Sequence, residues 1–532
     1  MAGARPAVLA LLVFVAAFAL YALSTSQNLE GYEPETAAVT EGFVKTGDFV
    51  LIGDSPLKPD NLGFAGHDGK LIGRAGLTDP LVRAPFYAVG WAADEIDSDS
   101  SSWRWRERAF WFASPFYVAI GVAFFFLVAL ELTRSRRWAL VLAGLFAAAG
   151  QAWPYSKIGM EGTLMTALVI TLYGVLRASR SAALWPWALA GFGAGAALAN
   201  KPYGLFAVAA LLAYLVPALR RAPARDRLRR LGALAAPLLL WGIGFALFNR
   251  TRTGSFLDTG RNDPETTLAA PLNFVGFFIS PGKGLIFFSP LVVLGILGLA
   301  AMYRRDRRLT LAIGGALVGG IAIVAGLRFW SDETWGPRYI VWVAWLLLLP
   351  IPFWAVTRRR RQILAGVAAL AIAVQFLGVI APSTMITNAG TDVTGYEIFT
   401  RPKPGQPILV PYGRDPIRWI PELSPLLLQA KVVLSKASIT LGGPPITTVY
   451  RPYEGPARSV RLDEAHLSRY GFGAPYLWWA QGGVGKFGAL AVILLLGVGG
   501  GATALLVMAA RRADGEVRLW GATPAAASAT AR

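Results

Sequence analysis

Ala7 to Leu23, AVLALLVFVAAFALYAL, followed after a short gap by Asn28 to Gly47, NLEGYEPETAAVTEGFVKTG, decides how this chain is read. The first piece is free of charge over a length that spans hydrocarbon, and it lacks the small-x-small exit of a cleaved signal peptide. It reads as a first transmembrane helix. The second piece brings four carboxylates, Glu30, Glu33, Glu35 and Glu41, to the edge of the bilayer. A carboxylate there can accept a proton from a hydroxyl. Pro34 suits a first helical turn, acids suit a helix N-terminus, and Gly47 can end the helix. Residues 34–46 are therefore predicted as a short helix along the membrane surface, with Glu33 and Glu35 near its start; the competing reading is a solvated loop whose acids aid solubility.

The rest of the composition agrees with the first helix. Of 532 residues 55% are hydrophobic, with 18 Trp, which marks an integral membrane protein. The net charge of +19 lies in short clusters between apolar runs, a pattern of membrane topology and not of nucleic-acid binding. Without Cys there is neither a disulfide framework nor a thiolate nucleophile, and with His67 and His466 as the only imidazoles, metal sites built on Cys or His are nearly excluded. Oxygen ligands for a divalent cation remain available, with no diagnostic spacing.

Further apolar runs near 110–132, 138–153, 161–177, 184–199, 203–219, 231–249, 284–302, 309–327, 339–356, 362–381 and 487–509 bring the total to about twelve spans. Alternate loops collect arginine: Arg134, Arg136 and Arg137; Arg177 and Arg180; six between Arg220 and Arg230; Arg304, Arg305, Arg307 and Arg308; Arg358 to Arg361; Arg511 and Arg512. Those loops, and both termini, are assigned to the cytoplasm. The outer set is the first loop 24–109, the turns at 154–160 and 200–202, the loops 250–283 and 328–338, and a segment 382–486. The expected architecture is an all-α polytopic membrane protein with a catalytic region over 1–381. A small α/β outer subdomain over 382–486, a last helix over 487–510 and a disordered cytoplasmic tail over 511–532 follow.

Within the first loop, Asp68-Gly69 signals a hairpin, with His67 as a turn residue. TDPLVRAPFYAVGWAADEI, from Thr78, reads as an interfacial helix. In the outer segment, QPILV and ITTVY are strand-like, and SPLLLQAKVVLSK is an amphipathic helix. Tyr476, Trp478 and Trp479 fit an interfacial belt before the last helix.

Chemistry-bearing residues gather on the outer side. Lys157 and Glu161 stand in PYSKIGMEGT, Lys201 in ANKPYG, Lys283 in SPGKGLIFFSP, and Arg338 in SDETWGPRYI behind Asp332 and Glu333. Single cations at outer helix mouths suit a phosphate of a lipid carrier, or snorkel to ordinary lipid phosphates. SPGKG lacks the Walker spacing and faces away from cytoplasmic ATP.

The EPET stretch after the first helix, the DGKLIGRAGLTDPLVRAPFYAVG run, GFGAGAALANKPYGL, SPGKGLIFFSP and TWGPRYI together resemble the polyprenyl-phosphate-sugar glycosyltransferases of the GT-C class. These are relatives of protein O-mannosyltransferases and lipid A aminoarabinose transferases. The resemblance is scattered over residues 1–345. It implies that a first-loop carboxylate is the general base, commonly within an Asp-Glu pair; here Tyr32 stands where the Asp is expected, which leaves Glu33, Glu35 and Glu30 open. It further implies Glu161 as a second functional acid, with Arg74, Lys201, Lys283 and Arg338 toward the carrier phosphate.

The expected function is transfer of a hexose or pentose from a polyprenyl-phosphate carrier to an outer-face glycan, lipid or protein at the plasma membrane, with inversion. No nucleic-acid partner is expected. The alternative is a lipid-linked glycan flippase, which would carry ionisable residues at helix centres; a non-catalytic assembly subunit is a third reading.

Overall fold

The computed structural model describes residues 6–26, 33–51, 64–73, 75–96, 105–260, 270–327, 334–381, 419, 421, 424–450, 458–470, 472, 477–480 and 485–511. Apolar runs broken by Gly and Pro dictate helices that pack through small residues, and that is what forms. In order these are α1 (Pro6–Ser24), α2 (Glu33–Thr46), α3 (Thr78–Ile96), α4 (Trp105–Thr133), α5 (Arg136–Gly144), α6 (Ala152–Tyr155), α7 (Gly159–Ala178), α8 (Trp185–Asn200), α9 (Leu205–Ala213), α10 (Val216–Arg220), α11 (Ala224–Thr253), α12 (Ala270–Ile279), α13 (Leu285–Phe288), α14 (Leu291–Arg305), α15 (Arg307–Ala325), α16 (Val341–Ala344), α17 (Ile351–Trp354) and α18 (Arg358–Ile380). The helices Pro425–Thr440, Glu464–Arg469 and Gly485–Arg511 follow.

Among the described residues, seven helices are long and apolar enough to cross a membrane: α1, α4, α7, α11, α15, α18 and the last one. The other predicted spans are helical too, but shorter or interrupted. The 138–153 run becomes α5 and a π turn over Leu145–Ala149; the 284–302 run breaks at Ser289 and Pro290 between α13 and α14. The 339–356 run alternates short α and 3-10 pieces around Pro350 and Pro352. Hydropathy measures how apolar a stretch is, while proline, which lacks an N–H, decides where the helix stops.

The core runs along α4, α7, α8 and α14 to α17, with Phe125, Phe126, Leu164, Leu168 and Trp342 fully buried. The glycines of α8 show how closely these helices approach. A Cβ at Gly191 would lie 1.9 Å from the Leu234 carbonyl oxygen of α11, and one at Gly193 would lie 2.7 Å from the Ala167 carbonyl oxygen of α7. α8 is thus wedged between two neighbours, and its C-terminal end is placed by both.

The first loop folds as its turn signals require. Strands Phe64–Ala65 and Leu71–Ile72 pair antiparallel, Phe64 opposite Ile72, around Asp68 (φ 56) and Gly69 (φ 71) in the left-handed region. α2 differs from the expected surface helix and from the solvated loop: Glu35, Thr36, Ala37, Ala38, Val39, Thr40 and Glu41 are all buried. Ala37, Ala38 and Val39 form a small core with Leu51, Tyr87 and Phe110, so α2 is clamped against α3 and α4.

The described part of segment 382–486 has its own core, Val432, Leu462, Leu467, Tyr470 and Phe472 with Ala381. A hairpin, Thr447–Tyr450 with Arg458–Arg461, accompanies it. QPILV and Tyr476 lie outside the described residues. Trp478 and Trp479 donate from their indole N–H groups to the Ala22 and Leu23 carbonyls of α1, at 2.7 and 2.6 Å. The Trp478 amide donates to the Thr25 carbonyl at 3.0 Å. The last helix packs on α1, where Gly499 admits Ala19.

Candidate active site

Glu161 stands in the first turn of α7, where a helix N-terminus favours an anion, and Lys201 follows the last residue of α8, where a C-terminus favours a cation. Arg338 opens a 3-10 turn over Arg338–Ile340. The fold brings these three together from distant parts of the chain: Lys201 Nζ lies 2.5 Å and Arg338 Nε 2.8 Å from the same oxygen, Glu161 Oε1. Their side chains are 2%, 2% and 0% exposed. Glu161 Oε2 has no hydrogen-bond partner among the described residues. Such a triad is costly to desolvate and holds together only while the carboxylate remains.

Lys283, in the turn between α12 and α13, is fully buried and donates to the Thr334 carbonyl. Tyr155 donates to the Trp335 carbonyl, so residues 334–338 are gripped from two sides next to Arg338. Ser424 of segment 382–486 donates to the Pro281 carbonyl at 2.7 Å and docks that segment on the same turn.

Of the first-loop acids, Glu41 accepts from Lys45 at 2.6 Å, with Arg106 at 3.9 Å. Burial and the Glu41 carboxylate beside it push the Tyr87 phenol well above its ordinary range. Glu35, 1% exposed, faces the chain at Gly73, where a Cβ would fall 3.0 Å from Glu35 Oε1. From the other direction Arg252, also buried, donates to the Gly73 carbonyl. Glu33 begins α2; Glu30, Arg74, Asp332 and Glu333 lie outside the described residues.

The first loop reaches the triad through its backbone. The Leu77 amide donates to the Ala199 carbonyl at 3.0 Å, and the Thr78 hydroxyl to the Ala196 carbonyl at 2.7 Å. A Cβ at Gly76 would lie 2.1 Å from the Asn200 carbonyl oxygen, one residue from Lys201. Gly76→Ala is therefore expected to force the first loop off α8 at a cost of about 1–3 kcal/mol. Gly366→Ala, in an open part of α18, is expected to be neutral or mildly stabilising. Melting temperatures of the two variants in one detergent check this; equal values would mean that the contact carries no weight.

One buried pair escaped the sequence reading. Asp79 Oδ1 accepts from Arg83 Nε at 3.2 Å and from Thr163 Oγ1 at 2.8 Å, while Arg83 Nη2 donates to Ser114 Oγ at 2.9 Å. The guanidinium occupies the space where a Cβ at Gly159 would stand, two residues before Glu161. The i,i+4 spacing of Asp79 and Arg83 was the available signal. Lys157 donates to the Val379 carbonyl and so is tied to α18. His67 packs against Gly254 at the end of α11, a turn residue in a structural contact. Among the described residues no group of three His, Cys, Asp or Glu could hold a metal ion.

Among the described residues, one end of the helices thus gathers the buried cations Lys201, Arg252, Lys283 and Arg338, with the carboxylates Glu35 and Glu161 and the Asp79–Arg83 pair beside them. A family described as mycobacterial cell wall arabinan synthesis protein matches residues 133–261. The middle of this chain is similar to that family. The match runs from the end of α4 past α11, contains Glu161 and Lys201, and bears out the resemblance to the GT-C class. No curated protein matches the chain. Among solved structures, ArnT from Cupriavidus metallidurans in the apo state is 13% identical with a TM-score of 0.41, covering 82% of this chain and 70% of that one. The same protein bound to undecaprenyl phosphate is 14% identical with a TM-score of 0.44, covering 82% and 72%.

Proposed function

We propose that this chain is a membrane glycosyltransferase that takes a sugar from a polyprenyl-phosphate carrier and passes it to a glycan, lipid or protein acceptor on the extracytoplasmic side of the plasma membrane. The observation that carries the reading is the gathering of buried cations and two carboxylates at one end of the bundle. The family matched over residues 133–261 is named for cell wall arabinan synthesis, which favours a pentose and a glycan acceptor.

In this scheme the acceptor hydroxyl gives its proton to a first-loop carboxylate as its oxygen bonds to the anomeric carbon. The bond from that carbon to the phosphate oxygen breaks, and its electron pair leaves with the phosphate. Lys201 and Arg338 meet the growing phosphate charge, with Lys283 and Arg74 as further contacts. Glu161 holds the two cations in place as a positioning residue. Glu35 is the favoured base: it is buried on α2 beside Gly73, in the stretch of the first loop that leads to Lys201. The charged groups sit at helix ends and not at helix centres, which favours transfer over flipping.

Membranes containing the protein are expected to transfer radiolabelled pentose or hexose from a polyprenyl-phosphate donor and none from a nucleotide sugar. Labelled lipid that crosses the bilayer with no transferred product would establish the flippase instead.

A further inference from the structure

Three helix interruptions border one small cavity. They are the π turn Leu145–Ala149 with Gly150 after it, the break at Ser289 and Pro290 between α13 and α14, and the 3-10 turn Trp345–Leu348. Where a helix ladder is interrupted among apolar neighbours, ordered water commonly takes up the polar groups that the interruption frees. The cavity has about 20 Å³ of room, and one water needs about 10–15 Å³. Phe146, Ala149, Trp345 and Leu348 give it apolar walls, to which Gln151 adds a carboxamide and Ser289 a hydroxyl.

Gln151 is 6% exposed, and among the described residues neither its Oε1 nor its Nε2 has a hydrogen-bond partner. Gln375 of α18, by contrast, is held through its Nε2, which donates to the Phe288 carbonyl. Burying a carboxamide with neither end bonded is costly, so such a group is kept where something other than protein bonds it.

Gln151 also touches the turn that carries Arg338. Gly336 has φ 59, and a Cβ there would lie 3.0 Å from Gln151 Nε2 and 3.2 Å from Phe288 Cβ, so the turn is fitted between these two side chains. The Arg338 amide donates to the Gly336 carbonyl at 3.1 Å, and Arg338 Nε reaches Glu161 Oε1 at 2.8 Å. Where the Gln151 amide stands therefore bears on a cation two residues further along.

We infer that the cavity binds one ordered water, held by Gln151 and Ser289, and that Gln151, fixed by this water, is a positioning residue for the turn from Gly336 to Arg338. The water site stands apart from any reaction. The positioning role rests on the proposed function, in which Arg338 meets the donor phosphate.

A reconstruction of the full chain in lipid nanodiscs, at a resolution that shows waters, should place a peak about 2.7–3.2 Å from Gln151 Oε1 or Nε2 inside the cavity. A Gln151 side chain bonded to protein instead, with no peak, overturns the site. Melting in one detergent tests it again by sign. Met is close to Gln in size and has no strong bonding group, so Gln151→Met should raise the melting temperature if the carboxamide is unbonded and lower it if the carboxamide holds a water. A fall is expected, and Ser289→Ala added to it should cost less than the sum of the two changes, because both act on the same water. A rise, or a strictly additive loss, overturns the site. For the turn, Gln151→Met should raise the KM for the polyprenyl-phosphate donor about five- to tenfold with kcat nearly unchanged. Met165→Leu, on the same cavity wall with no such bond to lose, should leave KM where it was. Equal KM values in the two variants would remove the positioning role and leave the water. An unsubstituted protein that transfers nothing would remove the proposed function and the positioning role together, while the map and the melts still decide the water.

Discussion

Glu35→Gln is expected to lower sugar transfer by about two to four orders of magnitude while donor binding and melting temperature stay near those of the unsubstituted protein. Glutamine keeps the size of the side chain beside Gly73 but cannot take a proton. Its neighbour sets the control: Glu41→Gln removes the charge that Lys45 contacts at 2.6 Å, while Arg106 keeps Asp94 at 2.5 Å, so it should lower the melting temperature and leave the chemistry per folded molecule largely intact. Single-turnover transfer from labelled donor, normalised to folded protein, separates the two effects. If Glu33→Gln abolishes transfer and Glu35→Gln does not, the base is Glu33 and burial beside Gly73 serves packing only.

Glu161→Ala should produce the largest loss of stability in this chain. It would leave Lys201 and Arg338 side by side without the carboxylate that both contact, and removing one member of a buried ionic group costs about 3–5 kcal/mol. Lys201→Met keeps the bond from Arg338 to Glu161. It should unfold less readily than Glu161→Ala, yet raise the KM for the polyprenyl-phosphate donor. Half-lives of the folded state in detergent at a fixed temperature, measured beside KM, provide the comparison. A Glu161→Ala protein as durable as the unsubstituted one would show that the triad does not hold the ends of α7 and α8 together.

How much of this could be read from the residues alone differs from element to element. The long spans and the short helix of the first loop follow from apolar length and from Pro34, the acids and Gly47, which are local signals. So does the hairpin at Asp68-Gly69. The segment from Arg338 to Trp354 does not, because its apolar content hides the 3-10 pieces that Pro350 and Pro352 help impose. At the site, the residue types were visible but their partners were not. Glu161 meets Lys201 across 40 positions and Arg338 across 177, and no periodicity reaches that far. Glu35 and Glu41 look alike in the sequence. Six residues of helix leave them about 120° apart around its axis, so one meets Gly73 and the other Lys45 and Arg106. Burial of α2 was hidden for a related reason: its mixed pattern of Thr, Ala and Glu reads as surface, and only packing by α3 and α4 makes it interior.

The tryptophan pair before the last helix also bears on how the chain is made. α1 ends at Ser24 with carbonyls that a helix leaves without internal donors, and those of Ala22 and Leu23 receive theirs from Trp478 and Trp479, 456 positions later. At a synthesis rate of about 5–20 residues per second, those donors emerge on the order of half a minute to a minute and a half after α1. During that interval the Ala22 and Leu23 carbonyls have no such donors, and they receive them only once the helices between α1 and Trp478 have been made.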